Sequence, residues 1–410
     1  MRLLFLVHQF LPEFAGGTER VTLNLAQAAQ ADGHQVEIAT VTLTPGAPAH
    51  GFMVEGLPVT AFTRQRINGP ADLGFEPDAP FAAQFRAFLA QQAPFDAVHV
   101  MHSFRLLDAV EILAEQKIPY AVTLTDFFTI CHKINLVRSD GALCGGPEGG
   151  ETCERICGYM EFPQGSCPPR YKRLEQALRN ASAVVAVSDY VAGEMRKTHP
   201  WLKMAVVNNG VDLLAFGPPA PRPADRPLTF GYLGTVSEMK GAAVLARAFA
   251  RAAPENARLR IVGPDYDPAL LAALKQDTAG ASVTWEGAIP AGDVPAMLGE
   301  FDILCVPSQV PEAYSLALYE GFAAGLPALV SDLGNLGLAV RGAGCGRAVP
   351  STDEQAWATA IGEIAADPQV LDAWRRRLPL PFRIEEEAAL YAQIYRGLAG
   401  LRRPAVEAAA

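Results

Sequence analysis

Two series of alternating strands and helices, separated by a proline-rich stretch, constrain the fold of this chain most strongly. In the first series, short apolar runs at residues 3–7, 36–41 and 120–124 alternate with segments of helical periodicity. A second series of the same kind begins at residue 228. Strands that alternate with helices of this length are typical of a parallel sheet covered on both faces. The sequence therefore predicts two Rossmann-like α/β domains that face each other across a cleft.

The proline-rich stretch marks the domain boundary, because proline fixes φ and removes backbone donors. The predicted segments are an N-terminal domain over residues 1–217 with a cysteine-rich insert at 126–169, a linker over 218–227, a C-terminal domain over 228–382, a helix over 383–403 that packs back on the N-terminal domain, and a flexible tail over 404–410.

Charge and composition exclude several classes of function. The chain has 410 residues, half of them hydrophobic, and a net charge of −10, which is typical of a globular protein and not of a nucleic-acid binder. No apolar run reaches the roughly 18 to 20 residues that a membrane span needs. We therefore expect a cytoplasmic protein, with peripheral contact to the inner face of the membrane. The sequence leaves the oligomeric state open.

A basic cluster that follows the cysteine-rich insert suggests that membrane contact. Its members are Arg170, Lys172, Arg173, Arg179, Arg196, Lys197 and Lys203. Such a cluster suits anionic lipid headgroups, and a solvated basic face is the alternative.

Two glutamates mark the most informative stretch of the second series. An apolar run ends at Val306, and a helical pattern begins near Ser315, a residue type favoured at helix N-caps. Helix N-termini beyond the carboxyl ends of parallel strands bind anions such as a diphosphate. Glu312 falls in the loop before this helix and Glu320 falls inside it, so both could contact one ligand. Taken alone, they could equally be two surface acids.

In the first series, three positions follow predicted strands. The Gly16-Gly17 pair lies at a strand-to-helix junction, where glycine allows close backbone approach to a ligand, although an ordinary turn is the alternative. His102 and Asp126 each follow a strand and so lie on the same sheet edge. A histidine in such a place is often a structural residue, whereas Asp126 is a candidate base.

The cysteine-rich insert raises the question of a metal. Four of its cysteines, Cys131, Cys144, Cys153 and Cys157, are candidate ligands of a structural zinc ion. Their spacing is looser than that of paired CxxC motifs. Reduced cysteines in a mobile acceptor loop are therefore the alternative.

Together these motifs resemble a known family, the retaining glycosyltransferases of family 4, which have the two-domain GT-B fold. The matching segments, in the family's order, are Gly16-Gly17, Asp96 to His102, Asn209-Gly210-Val211-Asp212 with Phe216, Gly234 with Lys240-Gly241, and Glu312 to Glu320 with Gly325 and Pro327. A cysteine-bearing insert occurs in some relatives of the family.

The resemblance implies a nucleotide-sugar donor, most simply a UDP- or GDP-sugar, in the C-terminal domain. Glu320 would accept hydrogen bonds from the ribose, and Glu312 would face the transferred sugar. The residues implied at the diphosphate and base are Gly234, Thr235, Lys240, Ile289, Ser315, Leu316 and Ala317. Helix N–H groups and Lys240 would stabilise the leaving group without a catalytic metal.

The resemblance also implies catalysis with retention onto a glycan or lipid-linked acceptor, in cell-surface polysaccharide or glycoconjugate synthesis. His102, Asp126, Lys240 and Glu312 are the implied catalytic residues, and Gly16 and Gly17 would close the site from the first domain.

One departure from the family pattern leaves alternatives open. Thr235 stands where an arginine is common, and a neutral hydroxyl cannot replace a guanidinium at a diphosphate. Either Lys240 and the helix N-terminus suffice, or a cation such as Arg105 or Arg138 takes that place. The alternatives to a transferase are a sugar-nucleotide epimerase of the same fold and a non-catalytic donor-binding subunit.

Overall fold

The computed structural model describes residues 1–158, 162–217 and 226–407, with side chains described as far as residue 401. The chain packs into two units. Unit 1 comprises Met1–Gly210 and the chain from Ile384 onward, and unit 2 comprises Val211–Arg383. Most of the linker predicted at 218–227 lies outside the described residues.

Unit 1 is built on an eight-stranded sheet. Its strands are β1 (Arg2–Leu6), β2 (Gln35–Val41), β3 (His50–Val54), β4 (Leu57–Phe62), β5 (Ala97–Val100), β6 (Tyr120–Leu124), β7 (Ala183–Ala186) and β8 (Ala205–Val206). They lie in the order β3-β4-β2-β1-β5-β6-β7-β8, and every neighbouring pair is parallel except β3 and β4. Every residue of β5 and β6 is buried, as expected for central strands covered by helices on both faces.

The helices of this unit follow the strands in alternation. They are α1 (Gly17–Ala31), α2 (Ala79–Gln91), α3 (Leu107–Glu115), α4 (Glu151–Cys157), α5 (Cys167–Asn180) and α6 (Asp189–Thr198). The chain passes from β1 to β2 on one side of the sheet and later returns to the other side of β1 through β5. The carboxyl ends of β1 and β5 therefore form the switch point of the sheet, where such folds bind ligands.

Unit 2 repeats this plan with a six-stranded, fully parallel sheet. Its strands are β9 (Leu228–Leu233), β10 (Ala257–Val262), β11 (Val283–Trp285), β12 (Ile303–Val306), β13 (Ala328–Ser331) and β14 (Gly346–Val349). Its helices are α7 (Ala242–Ala252), α8 (Pro268–Asp277), α9 (Val294–Leu298), α10 (Leu316–Ala323), α11 (Gly334–Ala343), α12 (Glu354–Ala366) and α13 (Val370–Arg375). The order β11-β10-β9-β12-β13-β14 places the switch point between β9 and β12.

The last helix, α14 (Ile384–Glu407), packs on unit 1 against α1, β5 and β6. Tyr395 and Tyr391 of α14 are buried, and their hydroxyls lie 2.8 Å from His99 Nδ1 and 2.9 Å from Thr123 Oγ1. The same Thr123 oxygen lies 2.7 Å from His99 Nε2. This buried polar chain fixes α14 on the sheet. None of the helices in the described ranges combines the length and hydropathy required to cross a membrane.

The prediction of two Rossmann-like α/β domains with parallel sheets is confirmed. Several elements were not predicted, namely β3, α4, α11, α13 and β14. The hairpin of β3 and β4 turns at Glu55 and Gly56, both with positive φ, and its first strand is largely exposed and carries no apolar alternation. Strand β14 begins at Gly346, a residue type that is unusual in strands and weakens the sequence pattern. A Cβ at this position would lie 1.9 Å from Ala328 O, so the close pairing of β13 and β14 needs glycine there.

The C-terminal end also differs from the prediction. Helix α14 continues to Glu407, so the segment expected to form a flexible tail from residue 404 is helical over its first residues. Residues 408–410 lie outside the described residues.

Candidate functional site

The loop between β12 and α10 carries the first set of predicted site residues in unit 2. Ser315 is the N-cap of α10, and its hydroxyl accepts a hydrogen bond from Leu318 N at 3.4 Å. The first N–H groups of a helix have no partner within the helix. Those at Leu316 and Ala317 lie at the N-terminal end of α10, beside the switch point, and a helix end of this kind suits an anion.

Glu312, in the same loop, forms a salt bridge with Lys240. The distance from Lys240 Nζ to Glu312 Oε1 is 2.8 Å. Lys240 belongs to the loop after β9 and its side chain is half exposed, whereas that of Glu312 is largely buried. This pair joins the two loops that flank the switch point, and it places a cation and a carboxylate together near the N-terminus of α10.

Close backbone packing holds these two loops together. Gly241 has φ +75°, and a Cβ there would lie 1.8 Å from Pro307 O. Gln309 N donates to Met239 O at 2.8 Å. No side chain other than hydrogen fits at Gly241, so this glycine determines where its neighbour Lys240 lies.

Gly234 and Thr235 lie on the loop that follows β9. A Cβ on Gly263, at the end of β10, would lie 1.9 Å from Gly234 O, so the two loops touch through their backbones. The hydroxyl of the buried Tyr232 donates to Thr235 O at 2.6 Å and fixes this turn. Ile289 packs on a core cluster of unit 2 that includes Val262.

The position of Glu320 is set by the surroundings of α10. Glu320 is half-buried within the helix. The neighbouring Tyr319 ring stacks on Tyr314 with centroids 4.2 Å apart, and its hydroxyl accepts a hydrogen bond from Asn335 Nδ2 at 3.2 Å. Asn335 N donates to Glu312 O at 3.0 Å. The start of α11 therefore contacts both ends of the segment from Glu312 to Glu320.

Neither arginine suggested as a replacement for the missing cation lies in unit 2. Arg105 is buried and donates to Asp72, Gln9 and Asn68 over 2.7–3.2 Å. Arg138 is paired with Asp140, its Nε lying 3.0 Å from Oδ1. Arg105 therefore connects loops of unit 1 and is not available to neutralise a diphosphate.

In unit 1, the structure brings His102 and Asp126 together. His102 Nε2 lies 2.7 Å from Asp126 Oδ2, and His102 Nδ1 accepts a hydrogen bond from Phe104 N at 3.0 Å. Because Nδ1 accepts, the ring proton is on Nε2 and is donated to the carboxylate. The other carboxylate oxygen, Oδ1, accepts from Phe128 N at 2.8 Å. Asp126 is thus an oriented, partly exposed acceptor at the carboxyl ends of β5 and β6.

The Gly16-Gly17 pair lies beside two residues that sequence reasoning missed, His8 and Glu19. Gly16 is the N-cap of α1, and a Cβ on it would lie 2.6 Å from Glu19 Oε2. Glu19 is 2% exposed, and its Oε1 lies 3.6 Å from His8 Nε2. The His8 ring packs on His102 with centroids 4.4 Å apart. The apolar start of the chain ends at His8, and only its place after a strand could have marked it.

The four predicted zinc ligands do not form a metal site. Cys131, Cys153 and Cys157 are buried and Cys144 is half-buried, all as free thiols. Within the described parts of the chain, no three His, Cys, Asp or Glu side chains are grouped closely enough to hold a metal ion. The arrangement does not fit the zinc prediction.

About half of the basic cluster after the insert has partners within unit 1. Arg170 is buried, where its guanidinium donates to Leu73 O and Phe128 O. Arg173 pairs with Asp108 and Glu111, Arg179 with Glu175, and Lys197 with Glu194. Four of the seven cations therefore have intramolecular partners, which favours the alternative of a solvated or structural set over a lipid-binding face.

Comparisons with known protein families match both halves of the chain. Residues 15–213 match Glycosyltransferase Family 4, and residues 218–378 match Glycosyl transferases group 1. A D-inositol 3-phosphate glycosyltransferase from Jonesia denitrificans is 28% identical over 250 residues, which cover 55% of this chain and 58% of that protein. The chain thus spans less than two thirds of that relative.

Solved structures match the fold over almost the whole chain. Sucrose-phosphate synthase from Thermosynechococcus elongatus has a TM-score of 0.72 and 21% identity, with 98% of this chain and 99% of that chain covered. Anabaena Alr3699/HepE, in complex with UDP and glucose, has a TM-score of 0.68 and 17% identity, with 97% and 100% covered. At these identities the likeness establishes the fold.

Proposed function

We propose that this chain, which belongs to the GT-B glycosyltransferases of family 4 and group 1, transfers a sugar from a nucleotide-sugar donor to a glycan or lipid-linked acceptor. The observation that carries the proposal is the Lys240–Glu312 pair at the N-terminus of α10, on the switch point of the unit 2 sheet. A cation, a helix N-terminus and a carboxylate suit the diphosphate and the sugar of one ligand.

In this proposal, unit 2 binds the donor. The N–H groups of Ser315, Leu316 and Ala317 receive the diphosphate together with Lys240, while the glycine turns at Gly234 and Gly263 let backbone approach it. Glu320 accepts hydrogen bonds from the ribose hydroxyls, and Glu312 faces the transferred sugar. Thr235 and Ile289 contact the diphosphate and the base. A UDP-sugar is the first donor to test, because the HepE structure contains UDP and glucose, and a GDP-sugar is the second.

Unit 1 binds the acceptor through Gly16, Gly17, His102 and Asp126. The acceptor oxygen bonds to the anomeric carbon while the bond from that carbon to the diphosphate breaks on the same face. The acceptor proton passes to a donor phosphate oxygen, and the charged Asp126 orients the hydroxyl. The nucleoside diphosphate leaves with its charge stabilised by Lys240 and the helix N-terminus, so no catalytic metal is required. This front-face route retains the anomeric configuration.

The name of the sequence relative favours transfer over the alternatives of an epimerase or a binding subunit, because that protein is a glycosyltransferase. Nucleotide release measured with and without a glycan acceptor tests this directly. A transferase releases nucleotide in proportion to acceptor, whereas an epimerase needs no acceptor and a binding subunit releases nothing. The anomeric configuration of the product, read by NMR, tests retention, and an inverted product would overturn the front-face route.

A further inference from the structure

Two histidine–carboxylate pairs lie side by side at the switch point of unit 1. The outer pair is His102 and Asp126, with 2.7 Å between Nε2 and Oδ2. The inner pair is His8 and Glu19, with 3.6 Å between Nε2 and Oε1. The two imidazole rings are 4.4 Å apart and tilted by 41°. A charge on one ring therefore acts directly on the other.

The inner carboxyl occupies a place that the backbone leaves open for it. Glu19 is 2% exposed, and its Oε1 has no hydrogen-bond partner among the described residues. A Cβ on Gly16 would lie 2.6 Å from the other oxygen, Oε2. His8 Nδ1 is likewise buried without a partner in the described chain. The unpartnered Glu19 Oε1 thus lies 3.6 Å from the imidazole nitrogen Nε2 of His8.

Burial drives both members of the inner pair toward their uncharged forms. Among the described residues, the charged or titratable groups recorded next to His8 are Glu19 from α1, and His102 and Arg105 from the loop after β5; His102 is in turn bonded to Asp126. Burial holds the pKa of His8 well below its ordinary value, and His102 and Arg105 lower it further. Burial also raises the pKa of Glu19. A neutral carboxylic acid has a proton to donate, and a neutral imidazole nitrogen can accept it.

We propose that Glu19 is a positioning residue that donates a hydrogen bond to His8 as a neutral acid and so keeps His8 uncharged beside His102. The inference rests on the proposed function. A positive charge on His8 would attract the Asp126 carboxylate away from the acceptor hydroxyl. Gly16 serves the same arrangement by leaving room for the carboxyl.

Two substitutions at Glu19 separate this role from simple packing. Glu19→Gln keeps the shape and an N–H donor, so its kcat should stay within about twofold of the wild type. Glu19→Ala opens a water-filled space beside His8 Nε2, which relieves the burial and lets His8 take a proton. Its kcat should fall at least tenfold near pH 6 and recover as the pH rises, with the donor KM unchanged. Equal loss in both variants at every pH would overturn the proposal.

A second-site variant tests the charge itself. His8→Phe keeps an uncharged ring against His102. The double variant Glu19→Ala/His8→Phe should therefore not show the fall in kcat near pH 6 that Glu19→Ala shows. If the double variant retains the pH dependence of Glu19→Ala, His8 is not the group responsible and the proposal fails. His8→Phe alone also keeps the inference testable if Glu19→Ala does not fold, because a tenfold fall in its kcat at neutral pH would contradict a role in keeping His8 uncharged.

Donor binding distinguishes failure of this inference from failure of the proposed function. The shift in melting temperature caused by a UDP-sugar depends on unit 2 and should be the same in all these variants. If the wild type binds donor and transfers sugar, but kcat depends on pH in the same way in the wild type and in Glu19→Ala, only the role of Glu19 is wrong. If no variant, including the wild type, transfers sugar to any acceptor, the proposed function itself fails.

Discussion

Lys240 Nζ lies 2.8 Å from Glu312 Oε1, so the cation that faces the proposed diphosphate position is already neutralised by a carboxylate. The pair links the loops after β9 and β12, and Gly241 holds the lysine loop against Pro307. Binding of a diphosphate at Lys240 therefore has to compete with Glu312 or share the lysine with it. Since Thr235 supplies no charge, this competition governs donor affinity.

Replacing Lys240 by alanine should weaken donor binding about 10- to 100-fold, the equivalent of losing a charged hydrogen bond worth roughly 1.5–3 kcal/mol. Titration of a UDP-sugar by calorimetry measures this. The exposed Lys275→Ala on α8 is the matched control and should bind donor like the wild type. A donor affinity unchanged by Lys240→Ala would show that another group neutralises the diphosphate.

Replacing Glu312 by glutamine should separate binding from chemistry. The amide releases Lys240 for the diphosphate, so UDP should bind at least as tightly as to the wild type. Turnover should nevertheless fall by about 10²–10³-fold, because a group aimed at the charge of the transition state is lost. Calorimetry with UDP and steady-state kinetics check the two effects. Weaker UDP binding together with normal kcat would contradict the assigned role.

Adding a methyl group at Gly241 should distort the donor loop. Gly241→Ala puts Cβ 1.8 Å from Pro307 O at a φ of +75°, so the loop must shift. The cost is on the order of 1–3 kcal/mol in the free energy of unfolding, with weaker donor binding because Lys240 moves. Thermal denaturation and donor titration measure both. Gly292→Ala, where a Cβ meets no atom within 4 Å, is the control and should change neither.

Asp126 should matter for turnover more than for donor binding. Asp126→Asn keeps the shape and a partner for His102 Nε2 but removes the charge that orients the acceptor. We expect kcat to fall about 10²-fold, the size of effect that follows when a reacting group is held out of position. Asp32→Asn, at the exposed C-cap of α1, is the control. A wild-type kcat in Asp126→Asn would remove Asp126 from the mechanism.

The stability of the protein should depend on the ionisation of Glu387 in α14. Its side chain is 1% exposed and its Oε2 accepts from Gly210 N at 2.8 Å. Burial raises its folded pKa from 4.5 to about 8. Folding therefore favours the protonated carboxyl, and this contribution is fully present below pH 4.5 and lost as pH rises through about 8.

Glu387→Gln should remove that pH dependence, because the amide imitates the protonated carboxyl and can still accept from Gly210. The melting temperature of the wild type should decline between pH 5 and 9 more steeply than that of the variant. Glu386→Gln, exposed on the same helix, should follow the wild-type curve. Parallel curves for wild type and Glu387→Gln would show that Glu387 is already ionised in the folded protein.

The alternating pattern made the two Rossmann-like domains predictable, because buried parallel strands such as β6 are continuous apolar runs. It also placed Glu312, His102 and Asp126 after strands, whereas Lys240 came only from the family resemblance. The pattern could not show that Lys240 pairs with Glu312, because those residues are 72 positions apart and meet only because β9 and β12 are parallel neighbours in the sheet.

Three-dimensional packing explains what sequence reasoning missed. In the sequence, His8 and Glu19 are ordinary loop and helix residues. Their importance follows from the fold, which buries Glu19 beside Gly16 and packs the ring of His8 on that of His102. The sequence suggests Arg105 as a candidate cation and places Arg173 in a basic cluster, but it does not show which carboxylates fold back onto them. The cysteine spacing likewise indicated a shared ligand without fixing how the four thiols lie.

The central claim is that unit 2 binds a nucleotide sugar through the Glu312–Glu320 segment, and a thermal-shift panel tests it most directly. UDP-, GDP-, ADP- and dTDP-sugars are added to the wild type, to Glu320→Ala and to the control Glu255→Ala, which is exposed in the loop before β10. We predict that a UDP- or GDP-sugar raises the melting temperature of the wild type and the control but not that of Glu320→Ala. Failure of every nucleotide sugar to stabilise the wild type, or an equal shift in Glu320→Ala, would contradict the claim.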